Sequence, residues 1–440
     1  MIIMDYIDVY KDPPPGFKLK ATNYFQRRPE LGEFLASQIR QLKAGGMTIL
    51  GTKLRKLGKV LLSVPFLPAA VLMRCFRPWV TVRVGRLRAE RVGHLAGNTE
   101  LYLCKRDLKK QSRPVFDIFY YLRPLSNRQL LKMIRRVLTV WPAAEFLDIA
   151  SRMLPGWQAH AVYMPVEMDP EGLIDKTAVH LSFTRGEAAQ ARAELSRLGV
   201  DEARPWICFH VRDNTYLINH LQNENWEYHN YRNSDINRMM PAMRRLTDQG
   251  YTALRMGVDV SIALSEKSSS IIDYAFSDLR SELLDIYLCA HCRFFVGTTA
   301  GLCSVPRIFR KPIVYVNFTA LSFGAWTSRD LVIPKRYRLK ASGRELPLKE
   351  ILETRIGEAS TSRDLESHNV ELIENTENEI SAVVEEMELR LSGEWTPQDG
   401  DEELQRRMQD IYSRYNKVNS PPPRIGARFL RDNPSYLEIT

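Results

Sequence analysis

The chain lacks most of the short signatures that would fix its chemistry at once. No Gly-Lys-Ser/Thr closes a glycine-rich loop, which speaks against a Walker-type phosphotransferase. No G-x-G-x-x-G is present either, which counts against a dinucleotide-dependent dehydrogenase. Cysteine is sparse, with six residues scattered at 75, 104, 208, 289, 292 and 303. Cys289 and Cys292 form a C-x-x-C, but no second pair or histidine set follows, so a zinc or redox role is not expected. No secretory signal opens the sequence, and a reduced cytosolic setting is expected. The apolar run VLLSVPFLPAAVLM at 60–73 falls short of the ~20 residues a bilayer-crossing helix needs, and Pro65 and Pro68 interrupt it.

What is present is unevenly placed. The net charge is +10, yet residues 17–91 alone hold 16 Lys/Arg against 3 Asp/Glu. The remainder is slightly acidic, so no nucleic-acid partner is implied. Within the basic segment, the apolar run is bracketed by Lys53, Arg55, Lys56 and Lys59 on one side and by Arg74 and Arg77 on the other. Such a 53–77 segment suits the cytoplasmic leaflet of a membrane, with its cations on anionic head groups. The alternative is a core helix packed on the next domain.

At 440 residues, 44% hydrophobic and 26% charged, the chain is globular and long enough for two domains. Strands are expected at 79–85, 100–104 and 115–122, followed by helices at 128–140 and 183–198. Thr184 and Glu187 form a capping box for the latter, and Gly199 stops it. From Trp206, strands at 206–211, 251–257, 270–276, 292–297 and 312–318 alternate with helices, the pattern of a parallel, doubly wound α/β sheet. Helices are expected at 375–391 and 403–415. The resulting division is a basic segment (1–78), a first α/β domain (79–200), a second (201–395) and a helical tail (396–440).

The chemistry is expected where strands of the second domain end. The strand 206–211 runs out into His210, Arg212 and Asp213. Alternation places 210 and 212 on one side, where an imidazole and a guanidinium fork can reach one set of phosphate oxygens. Taken alone, the tripeptide would be read as a salt-bridged strand end with Arg212 paired to a local carboxylate; its context favours ligand contact. The strand at 292–297 opens into Gly297-Thr298-Thr299-Ala300-Gly301, whose backbone N–H groups and hydroxyls could hold an anion at a helix start. Together these loops suit a diphosphate and point to a nucleotide-sugar enzyme. Arg255 and Gly257 end the next strand, and Asp273 lies within the third, near where a base or ribose would sit. Asp285 is either on a helix surface or the partner of a buried cation such as Arg212 or Arg255. His94, in the loop 91–98, is either structural or a general base for an acceptor hydroxyl.

These segments resemble a bacterial family of glycosyltransferase-like proteins. The resemblance runs through RVGHLAGNTELYL (91–103), FTRGEAAQARAELSRLG (183–199), WICFHVRDNTYL (206–217), YRNSDI (231–236), YTALRMG (251–257), IIDYAFSDLRSELLDIYL (271–288), FFVGTTAGL (294–302), LVIPKRY (331–337) and RIGARFLRDNPSYL (424–437). It implies a GT-B-like α/β fold: two Rossmann-like domains facing across a cleft, with the tail crossing back to the first. His210 and Arg212 are similar to the H-x-R element of fucosyltransferase-like enzymes, and the 298–301 turn resembles the phosphate-facing loop of heptosyltransferase-like ones. The resemblance implies sugar transfer from a nucleotide-sugar donor, and the basic, apolar 53–77 segment suggests a glycan or lipid-linked acceptor of lipopolysaccharide or capsule synthesis, on the inner face of the cytoplasmic membrane. His210, Arg212, Arg255, Gly257, Asp273, Asp285, Thr298, Thr299 and Gly301 would hold the donor. Arg212 would also assist the leaving diphosphate, with His94 or Asp213 as base. No cofactor or metal is expected, since protein cations stabilise the leaving group. The rival reading is a non-catalytic nucleotide-sugar or glycan-binding scaffold.

Overall fold

The computed structural model describes residues 50–438, apart from 52, 110–112, 166–168, 221–226, 325 and 417–420. The proline-rich start at 13–16 and the rest of 1–49 lie outside the described residues. The chain forms two compact units that interleave along the sequence. The first takes residues up to Leu87 with Gln111–Tyr121 and Leu138–Tyr163; the second takes Arg88–Lys110, Leu122–Val137 and everything from Met164. Both are α/β units with parallel sheets.

In the first unit, β1 (Thr81–Leu87), β2 (Val115–Tyr121), β3 (Thr139–Val140) and β4 (Ala161–Val162) form a parallel sheet in the order β3-β2-β1-β4. Preceding it is a helix, Lys53–Cys75, that by length and composition alone could cross a membrane. The fourteen-residue run underestimates it. The helix continues through the basic flank, and Pro65 is absorbed in a 3-10 turn, Val64–Phe66, that tolerates a missing N–H. Phe66 packs on Trp141 and Phe146, with centroids 6.0 and 5.9 Å away.

The second unit is built on β5 (Trp206–His210), β6 (Thr252–Arg255), β7 (Ile271–Ile272), β8 (Phe295–Gly297), β9 (Ile313–Phe318) and β10 (Leu331–Pro334). Their order is β10-β9-β8-β5-β6-β7, all parallel. Counted from its own first strand this is 3-2-1-4-5-6, the doubly wound order whose direction of progression reverses between β5 and β8. Both faces are covered, so the central strands are apolar throughout: Ile207, Cys208, Phe209, Phe295, Val296 and Val314 are fully buried. A two-stranded antiparallel ribbon, β11 (Arg336–Leu339) with β12 (Val370–Ile373), stands apart from this sheet.

Two expected elements differ. ELYLC, read as a strand, lies in a helix, Thr99–Leu108. A five-residue apolar run fits either period, and tertiary packing decides: Leu101 and Cys104, three apart, share one helix face against Leu173 and Ile174. The third strand of the second unit stops after Ile272, and Tyr274–Phe276 turns into a 3-10 helix. The tail packs on the second unit itself. Ile425 bridges β10 at Val332, and the Ala427 N–H donates to Glu386 at 2.7 Å.

Candidate functional site

The reversal point of the second sheet brings together the two loops singled out in the sequence. His210 pairs with Gly297, and the Thr298 N–H reaches the His210 carbonyl at 3.3 Å. The Thr298 hydroxyl accepts from the Arg212 N–H at 2.9 Å, so the first residues of each loop are tied to the other. The Thr299 hydroxyl accepts from the Thr319 N–H at 3.2 Å. Both threonine oxygens therefore already hold backbone.

Arg212 is buried, and its surroundings are unusual. Its Nη1 donates to the His229 carbonyl at 2.9 Å and to Asn233 Oδ1 at 2.7 Å, while its Nη2 is buried without a partner. Burial, and then the neighbouring Arg232, hold its pKa down to about 10. Arg232 places its own guanidinium on the Thr299 carbonyl, with Nε at 2.9 Å. Among the described residues no carboxylate forms an ion pair with either arginine. His229 reports the same field: burial and the charges of Arg232, Arg212 and Arg91 push its pKa down to about 3. The His229 ring is thus held neutral.

The other expected residues surround this cluster with different degrees of commitment. His210 Nδ1 lies 3.0 Å from the Met256 carbonyl, and burial lowers its pKa to about 4. The ring is neutral at pH 7; donating from Nδ1 leaves Nε2 as a hydrogen-bond acceptor. Gly257 has φ +154°, and a Cβ there would meet Val260 at 2.7 Å, so the turn after β6 requires glycine. Asp213 spans two loops: Oδ1 accepts from the Thr215 N–H at 3.1 Å, and Oδ2 from the Ser261 N–H and hydroxyl at 2.9 and 3.2 Å.

Arg255 and Asp273 form a buried ion pair at 3.2 Å. Arg255 also donates to the Ile262 carbonyl at 3.0 Å, and Asp273 accepts from the Leu264 N–H at 2.9 Å. This pair shapes the loop after β6. Asp285 does not pair with Arg212 or Arg255. Its partners are Arg280 at 2.7 Å and the Tyr274 hydroxyl at 3.0 Å, because Ser281 caps its helix and leaves Arg280 just outside the first turn. Burial pushes the Asp285 carboxyl up to about 6.

Gly301 opens the short helical stretch after the turn, and its packing partner is Gly93. A Cβ at Gly93 would lie 2.7 Å from Gly301 Cα. His94 follows at once, in a π-helical turn, His94–Asn98. The segment carrying His94 thus belongs to the same unit as Arg212, against the same turn.

Arg232, His229, Arg91, Asn233 and Lys335 were not singled out by sequence. Lys335 is buried and donates to the carbonyls of Tyr231 and Asn233 at 3.1 and 3.0 Å, with Glu374 at 3.4 Å. It thereby pins the loop that carries Arg232 and braces Arg212. The available signal was positional: YRNSDI and LVIPKRY both place a cation in a segment carrying the family resemblance.

A second charged cluster holds Glu100, Cys104 and His180, whose donor atoms lie within 4.8 Å of one another. Its chemistry does not fit a metal ion. Arg310 sits 2.6 Å from Glu100 Oε1, and His180 bonds Glu100 at 2.8 Å through Nδ1 and Asp107 at 2.9 Å through Nε2. The hydrogen bond to Glu100 raises the His180 pKa, and burial raises that of the Cys104 thiol. The Glu100 carboxylate is thus already engaged by Arg310 and His180. In the Asp-x-Asp at 399–401, Asp401 accepts from the Gln398 N–H at 2.8 Å and pairs with Arg431. Cys289 and Cys292 are free, buried thiols.

No protein-family model matches the chain, and no curated protein matches it. Among solved structures, it is similar to a family 9 glycosyl transferase from Veillonella parvula at 11% identity, covering 57% of this chain and 86% of that one, with a TM-score of 0.38. It is also similar to the E. coli ADP-heptose lipopolysaccharide heptosyltransferase II at 14% identity, over 58% and 90% of the two chains, with a TM-score of 0.33. A third is the iron-containing dodecameric heptosyltransferase TibC in complex with ADP-D-beta-D-heptose, at 13% identity over 57% and 61%, with a TM-score of 0.29. Likenesses this distant assign no activity, so the chemistry must be argued from the site.

Proposed function

We propose that the chain is a glycosyltransferase that takes its sugar from a nucleotide-sugar donor at the β5/β8 reversal point. The observation that carries this reading is Arg212: a buried guanidinium with an unpartnered nitrogen, beside Arg232, with no carboxylate among the described residues paired to either. Holding the Arg212 cation out of water beside a half-buried second guanidinium is costly unless an anion joins them. A diphosphate between these loops would complete the hydrogen bonds of Arg212, and the same cations would stabilise it as it leaves.

In this reading His210, neutral and with Nε2 free to accept, receives a hydroxyl of the donor. Thr298, Thr299 and Gly301 shape the turn that presents Arg232. Asp213, whose two oxygens are engaged, braces the loop, which favours His94 as the base that takes the acceptor proton. No metal is required, because guanidinium groups supply the positive charge. The two parallel-sheet units would serve as acceptor and donor domains of a GT-B-like enzyme. A lipid-linked glycan of bacterial surface polysaccharide, on the cytoplasmic face of the membrane, would suit a chain bearing a basic, apolar helix.

The test is a thermal-shift panel of UDP-, GDP-, ADP- and CMP-sugars on the wild-type protein and on Arg212→Ala. One nucleotide class should raise Tm in the wild type alone. No shift with any donor would overturn the reading. Binding without sugar transfer or donor hydrolysis would favour a non-catalytic scaffold.

A further inference from the structure

We infer that the first unit carries a docking surface for an anionic lipid bilayer, in which helix Lys53–Cys75 lies in the plane of the membrane instead of crossing it. At 1.5 Å per residue the helix is about 34 Å long, enough to span a hydrocarbon core of ~30 Å. Its contacts oppose that orientation.

One stripe, at residues 59, 63, 66, 70 and 73, turns inward. Lys59 pairs with Glu145, Ser63, Ala70 and Met73 are buried, and Phe66 stacks on Phe146. Arg74 extends this seam by donating to the carbonyls of Ala70, Ser151 and Pro155 at 2.6, 2.9 and 3.1 Å. A spanning helix would keep the Ala70 contact, which is internal to it, but would have to surrender those of Lys59 with Glu145 and of Arg74 with Ser151 and Pro155.

The opposite stripe is apolar and open to solvent. Leu61 is 63% exposed, Leu62 60%, Leu72 54% and, just past the helix, Trp79 70%. Apolar surface of this extent marks an interaction face. The charge pattern chooses the partner. Between residues 50 and 89 there are nine Lys/Arg and no Asp/Glu, with exposed Arg55 and Arg77 at the two ends of the stripe. Leucines flanked by arginines, with a tryptophan at one end, match acyl chains beneath anionic head groups. This surface is independent of the anion site, so either proposal can fail without the other.

The experiment is flotation of the full chain with phosphatidylcholine vesicles, with and without phosphatidylglycerol. The wild type should float with the anionic vesicles and less with the neutral ones. The variant Leu61→Gln/Leu62→Gln/Leu72→Gln should lose at least about tenfold in partitioning per leucine without a fall in Tm, since these side chains are exposed. Arg55→Cys and Arg77→Cys, each made with Cys75→Ser, should both react with an impermeant maleimide from outside bound vesicles. Protection of one of the two would show a spanning helix and overturn the in-plane arrangement. Failure to float, or flotation unchanged by the triple substitution, would overturn the surface itself. Self-association in the absence of lipid, abolished by the triple variant and accompanied by no flotation, would assign the face to a second copy instead.

Discussion

Arg212 and Arg255 stand near the ends of neighbouring strands, both buried, and they do opposite things. Arg255 has its counter-ion in Asp273 and a carbonyl in Ile262, so its charge is balanced within the fold. Arg212 has only neutral acceptors and a second guanidinium close by. The difference shows how a structural cation is told from a receptive one. Burial is common to both. What separates them is whether the protein supplies the anion.

The largest effect that would test this contrast is on stability. Arg255→Ala should destabilise the protein by about 3 kcal/mol, since it leaves the buried Asp273 carboxylate with only the longer contact to Lys267, at 3.8 Å, as a charge partner; chemical denaturation measures it. Arg212→Ala should lower the denaturation midpoint much less than Arg255→Ala, because among the described residues Arg212 bonds only neutral acceptors. The same substitution should weaken nucleotide diphosphate binding by about 100-fold, read by calorimetry, through loss of charge-assisted hydrogen bonds. A fall in stability as large as that of Arg255→Ala would erase the distinction.

Lys335→Met should weaken the same binding by about tenfold while leaving stoichiometry intact, because Lys335 acts through the Tyr231 and Asn233 carbonyls. Equal affinity in the two proteins would show that the loop holds its place unaided.

The smallest effect concerns pH. His180 has a raised pKa in the fold, so its contribution to stability is full below the unfolded value of about 6.5 and is lost as pH rises through the folded one. His180→Gln should flatten that part of the stability–pH curve. An unchanged slope would mean the Glu100–His180 bond does not retain the proton.

The sequence made the central part of this site readable for a simple reason. An apolar strand that stops at polar residues marks its own end, and β5 and β8 both do so. The alternation of elements was equally plain from Trp206 to Phe318, where a two-sided core demands continuous apolar strands. Arg232 and His229 were hidden because they lie in a long polar stretch, where only the folded loop decides what comes close. The partner of Asp285 was hidden because Arg280 lies outside the helix, beyond any helical spacing rule. ELYLC was ambiguous in principle, being too short for its period to be measured.

The contact of Gly93 with Gly301 leaves no room for a side chain on Gly93, whose Cβ would lie 2.7 Å from the Gly301 Cα. Two segments separated by some two hundred residues of chain are thereby geared together, like teeth without clearance. A ligand that moved the turn at 297–301 towards Gly93 would press directly on the backbone that leads into His94.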